Sequence, residues 1–131
     1  MIGTPNHGFH KEDVYSYFIT RVINCAETHP GQECLDMYPD SDFLNQLNAE
    51  DETPGSIDYL TIAGNCCKAY NGEPYDEIIR VSSVQLQGAK NIIVYGNKST
   101  DEYTFHGNLI TPDKHPIVYN YVKNFLLNSA S

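Results

Sequence analysis

The chain has 131 residues, of which 40% are hydrophobic, and both figures suit one domain with its own apolar core. Seventeen acidic against eight basic residues give a formal charge of -9, which repels a phosphate backbone; no basic patch offsets it, so no nucleic-acid partner is expected. No apolar run approaches the roughly 20 residues that a membrane helix needs.

Met1 and Ile2 run at once into Gly3, Thr4, Pro5 and Asn6. This reads as the end of a buried strand breaking into a loop, with the start of that strand expected upstream of Met1. His7 and His10 are metal ligands by type, but a loop pair without a third ligand favours a polar or active-site loop, so no metal is expected. From Lys11 to Cys25, Val14, Phe18 and Val22, with Tyr15, Ile19 and Ile23, fall at helical spacing and predict an amphipathic helix. Its stripe suits core packing as well as it suits the wall of a site. Thr28 to Asp40 reads as a loop around Pro30, Gly31 and Pro39. Asp40 or Ser41 then caps a helix with Phe43, Leu44 and Leu47 on one face, ending at Asn48. The acidic run Glu50-Asp51-Glu52 and the turn Thr53-Pro54-Gly55 are a solvated connection.

Ile57 to Ala63 has the β-branched and aromatic content of a strand, and Ile92 to Tyr95 is dense enough to predict a strand buried on both faces. Between them Val84 to Ala89 reads as a short helical turn. Pro116 suits a first helical turn, and Ile117, Val118, Tyr121, Val122, Phe125 and Leu126 predict a helix that buries one continuous face. Strands alternating with helices favour a parallel α/β sheet. In such a sheet the loops at the carboxyl ends of strands gather on one side, so Asp76 and His106, in successive loops, can reach the same place as an acid and a base.

Cys25 and Cys34 bracket a polar segment and are the pairing expected first, although intracellular thiols stay reduced by default. The adjacent Cys66 and Cys67 are not expected to pair with each other, because so small a ring strains the peptide between them, and sequence alone does not choose among the three complete pairings of four cysteines. Neither pair has the C-x-x-C spacing of a zinc site.

Several stretches carry a family resemblance. Ile2-Gly3-Thr4-Pro5-Asn6-His7-Gly8 resembles the Gly-Thr-Pro-x-His-Gly segment of α/β-hydrolase lipases, and Asp42 to Asn48 resembles their Ser-x-Phe-Leu-x-x-Leu-Asn helix. Tyr75 to Ser83 is similar to the Asp-Gly-x-Val-x-x-x-Ser acid loop, and His106-Gly107-Asn108-Leu109 is similar to the His-x-x-Leu of the histidine loop. The motifs follow the family's order over nearly the whole chain. The departure is the nucleophile: no Gly-x-Ser-x-Gly occurs, and in that family it precedes the Gly-Thr-Pro segment.

The resemblance implies the carboxyl-terminal part of an α/β-hydrolase sheet, with residues 9–48 as a lid-like helical insertion. It implies an ester or lipid substrate, no cofactor, and an acyl-chain wall or lipid-interface contact through Phe9, Val14, Phe18 and Val22. His106 would be the general base and Asp76 its orienting acid, while Glu73 and Glu77 beside Asp76, and His115 as a rival base, stay open. With the nucleophile expected upstream of Met1, the chain alone is expected to be inactive and to self-associate through an exposed strand edge. A different reading also stays open: a non-catalytic small α/β module whose apolar helix binds a partner.

Overall fold

A computed structural model of the protein describes residues 1–13, 31–98 and 104–128. The layer that positions everything else is a parallel pair, β1 (Leu60–Asn65) and β4 (Lys90–Tyr95), in the register Ile62 with Ile92, Ala63 with Ile93 and Gly64 with Val94. On the other side of β1, Ile2 makes a parallel bridge to Ile62. Gly3 N–H donates to the Ile62 carbonyl at 2.8 Å, and Ile62 N–H donates to the Met1 carbonyl at 3.0 Å. The strand expected here is present only as this single bridge, with Met1 exposed and Ile2 half-buried, before the chain turns into the loop.

Side chains alternate across a strand, and β1 uses both faces. Leu60 and Ile62 point into one apolar cluster with Val94, Phe105, Leu109 and Val118. Ala63 points into the other, with Phe9, Cys34, Ile79, Val81 and Val84. Ile62 is fully buried, which stabilises the fold by about 1.5–3 kcal/mol relative to an exposed side chain. Helical segments cover both faces, so the chain is a mixed α/β structure around a small parallel sheet.

The apolar cluster around Ala63 and Phe9 is closed by α1 (Gln32–Asp36) and the loop after it, through Cys34, Met37 and Tyr38. Next comes α2 (Asp42–Leu47), which Ser41 caps: its Oγ accepts from Leu44 N–H at 3.1 Å. After β1, a short antiparallel pair, β2 (Cys67–Lys68) and β3 (Pro74–Tyr75), leads to the acid loop and to α3 (Val81–Val84). Beyond β4 lie α4 (Phe105–Asn108) and α5 (Pro116–Asn128).

Several expectations are corrected. The first strand begins at Leu60, and Ile57 is exposed. β4 is not buried on both faces: only Val94 is fully covered, because among the described residues β4 pairs along one edge only. The segment 28–40 is not all loop, since it contains α1. The helical turn expected at Val84 to Ala89 lies earlier, as α3, and extended backbone at Gln85 ends it. On α2 only Leu44 is buried, while Phe43 and Leu47 are exposed. On α5 only Val118 is buried, with Tyr121, Val122 and Phe125 half-covered; Ile117, Tyr119, Leu126 and Leu127 face outward. The cluster around Leu60 and Ile62 reaches only Val118, Tyr121, Val122 and Phe125 of that helix.

Cys66 and Cys67 are joined as a disulfide, against the expectation that neighbours stay apart. Cys66 sits at the bend where the chain leaves β1 for β2, so successive side chains there are released from strand alternation. Cys34 is buried, but its expected partner Cys25 lies outside the described residues, as do Val14, Phe18 and Val22 and most of the helix predicted from Lys11.

Candidate functional site

The acid loop follows β3, and its first residue is Asp76. The side chain is fully buried and both oxygens are engaged. Oδ1 accepts from the backbone N–H groups of Ile78 at 3.1 Å and Ile79 at 2.7 Å, a local turn built on an aspartate side chain. Oδ2 lies 2.8 Å from His106 Nδ1. An ionised carboxylate can only accept, so it selects the ring form with a proton on Nδ1; in the neutral imidazole that form leaves the lone pair on Nε2. The His106 side chain is 31% exposed, so the ring reaches solvent while its partner does not. A buried acid holding a partly exposed imidazole in this tautomer is the arrangement a general base requires.

Backbone contacts tie the two residues as well. His106 N–H donates to the Asp76 carbonyl at 3.0 Å, so α4 starts directly on the acid loop. Thr104 caps the same turn, its Oγ1 accepting from Gly107 N–H at 3.2 Å. Two glycines make the site close-packed. A Cβ on Gly64 of β1 would stand 2.7 Å from Asp76 Cβ and 2.9 Å from Leu109 Cδ1. A Cβ on Gly3, whose φ is +57°, would stand 2.8 Å from His106 Cε1. The amino-terminal loop thus touches the imidazole, and only glycine permits that approach.

The rival residues lie elsewhere or do other work. Glu73 accepts from the Ser82 hydroxyl at 2.9 Å and from Asn71 Nδ2 at 2.6 Å, and these bonds, against a smaller opposing effect of burial, hold its carboxyl below the usual range. Glu77 Oε2 accepts from Phe105 N–H at 2.6 Å. His115 packs edge-on against the Phe105 ring, centroids 4.7 Å apart, and burial lowers its pKa from the ordinary histidine value. Phe9, expected at a substrate wall, is buried in the cluster around Ala63 with its ring edge-on to Tyr38 at 5.4 Å; its surface goes to core packing.

Behind the acid loop stands a buried ion pair. Arg80 Nε donates to Asp13 Oδ2, with both side chains nearly or fully covered, and Arg80 also reaches Glu12 at 3.3 Å. Burial pulls the Arg80 pKa down, but Asp13, Glu73 and Glu12 outweigh it and raise it overall. Asp13 Oδ1 accepts from Tyr70 N–H at 3.0 Å, so one carboxylate joins the turn at Lys11–Asp13, the β2–β3 connection and the acid loop. His7 lies 2.5 Å from Glu52, and His10 lies 3.4 Å from Glu12. Each histidine of that loop faces a carboxylate.

An apolar groove of about 570 Å³ runs between the Met1–Ile2 edge and α5, lined by Leu60, Val122, Phe125 and Leu126. It includes neither Asp76 nor His106.

No family model matches the chain, and no curated protein or solved structure matches it. Class and chemistry therefore rest on the fold and on this geometry: a mixed α/β chain that presents an aspartate–histidine pair beside a glycine-rich loop.

Proposed function

We propose that the chain is the acid- and base-bearing part of a carboxylic ester hydrolase acting on lipid or related esters. In this reading it is the carboxyl-terminal portion of an α/β-hydrolase sheet; of the lid-like insertion expected over residues 9–48, Phe9 and α1 pack into the core and residues 14–30 lie outside the described part. The supporting observation is the hydrogen bond from His106 Nδ1 to the buried Asp76 carboxylate, with the rest of the imidazole open. His106 Nε2 takes the proton of a serine hydroxyl as that oxygen attacks the ester carbonyl, then returns it to the leaving alcohol. Asp76 holds the tautomer and stabilises the imidazolium. The serine lies in a Gly-x-Ser-x-Gly segment upstream of Met1, so this chain alone does not turn over esters. Strand and helix surfaces from that segment cover the Ile2 edge and the apolar groove along α5.

A second reading has its own support: the exposed apolar residues of α5, Ile117, Tyr119, Leu126 and Leu127, suit a non-catalytic module that binds a partner through this helix. Labelling with a fluorophosphonate ester separates the two. A longer polypeptide carrying the upstream segment takes up one label on serine, and the label is lost with His106→Ala. Failure of the longer form to label, with a folded chain, would favour the binding module.

A further inference from the structure

We infer that Glu77 is a positioning residue for His106, acting through the amino end of the helical turn that carries it; its catalytic meaning rests on the hydrolase reading above. Two observations meet at this residue. Its φ is +77°, a left-handed backbone that side-chain-bearing residues rarely adopt. Its carboxylate accepts from Phe105 N–H, the residue just before His106, at 2.6 Å.

The start of a helix leaves backbone amides without intrahelical partners. In α4 these are Phe105, His106 and Gly107. They are taken in turn by Glu77 Oε2, by the Asp76 carbonyl and by Thr104 Oγ1. Only the bond to Glu77 is assisted by a full charge, and a carboxylate is the favoured group at the positive end of a helical turn. A turn of four residues has too few internal bonds to fix its own orientation. The acid loop therefore orients it, and with it the imidazole.

The left-handed conformation explains how both acids reach the same target. In extended backbone, neighbouring side chains point to opposite sides. The turn at Glu77 breaks that alternation, so Asp76 addresses the ring of His106 while Glu77 addresses the amide one residue earlier.

The test uses proton NMR of the 131-residue chain, reading the downfield Nδ1–H signal of the His106 imidazole, assigned by its loss in His106→Gln. Glu77→Ala is expected to speed its exchange with water by about tenfold, the loss of one charge-assisted hydrogen bond. Glu77→Gln, whose amide oxygen still accepts, restores most of the protection. Glu77→Gly removes the carboxylate but relieves the left-handed backbone, so it melts at or above the Ala variant while exchanging as fast. A merely structural role would instead make exchange follow melting temperature across the series. Wild-type exchange in the Ala and Gly variants would overturn the inference, as would absence of the signal from the unaltered chain. The exchange effect without ester turnover in the upstream-extended form would sink the hydrolase reading and leave the positioning role standing.

Discussion

The carboxylate of Asp76 and the imidazole of His106 meet at 2.8 Å, Oδ2 to Nδ1, with the acid wholly covered and the base partly open. The same acid also closes its own loop through Ile78 and Ile79. Site geometry and loop geometry thus depend on one side chain. Asp76→Ala leaves two backbone donors and the imidazole without their acceptor, and should destabilise the chain by roughly 2–4 kcal/mol. Asp76→Asn keeps one acceptor oxygen and should cost less. Urea unfolding of the three chains checks the order; an Ala variant as stable as the parent would show that the loop does not need the carboxylate.

Gly64 should tolerate no side chain. An alanine methyl there meets Asp76 Cβ, Leu109 Cδ1 and Phe105 Cε1 within 2.9 Å, all of them held by the core. Overpacking of this kind costs about 1–3 kcal/mol, so Gly64→Ala should lower the urea midpoint. Gly55 is the contrast: its φ is positive where that of Gly64 is not, so an alanine there meets backbone strain alone, with nothing within 4 Å of its added methyl. Gly55→Ala should cost less than Gly64→Ala.

Arg80 and Asp13 form a buried pair, and removing one partner abandons the other. Arg80→Met leaves the Asp13 carboxylate covered and uncompensated, for an expected loss of about 3–5 kcal/mol. Glu12→Gln removes only a half-exposed partner and should change stability by no more than about 1 kcal/mol. Thermal melts of both variants give the comparison, and equal effects would contradict the burial argument.

Burial lowers the pKa of His115, so the folded state prefers its neutral ring. A base with a lowered folded pKa contributes full stability above its unfolded value of about 6.5 and loses it as pH falls from there toward the folded pKa. The slope of stability against pH just below about 6.5 should therefore flatten in His115→Gln. An unchanged slope would mean that the ring is solvated. Glu52 titrates lower: burial raises its pKa, but hydrogen bonds from His7 and Gln87 outweigh this, so its contribution fades as pH falls through the ordinary carboxylate range.

Much of the site is legible in sequence because local patterns specify it. Pro116 opens α5, Ser41 caps α2, and the strand content of Leu60 to Ala63 survives as β1. Asp76 and His106 stand out by residue type and by their place after successive apolar segments. Glu77, Gly3 and Gly64 do not, because their importance is a matter of backbone sign and closeness rather than of residue type. A glutamate where the resembled acid loop has glycine was the one readable hint, since glycine marks a left-handed position. Burial is less legible in sequence. Ile92 and Ile93 are as apolar as a central strand requires, yet β4 has one paired edge among the described residues, a property of neighbours and not of the segment.

Ester turnover tests the central claim most directly. p-Nitrophenyl ester hydrolysis would be followed for the 131-residue chain, for a form extended upstream through the nucleophile segment, and for that form with His106→Ala. The expected result is no turnover above solvent hydrolysis for the chain alone, robust turnover for the extended form, and a loss on the order of 10⁴-fold or more with His106→Ala. Robust turnover by the 131-residue chain would contradict the need for an upstream serine, and full activity of the His106→Ala form would remove His106 as the base.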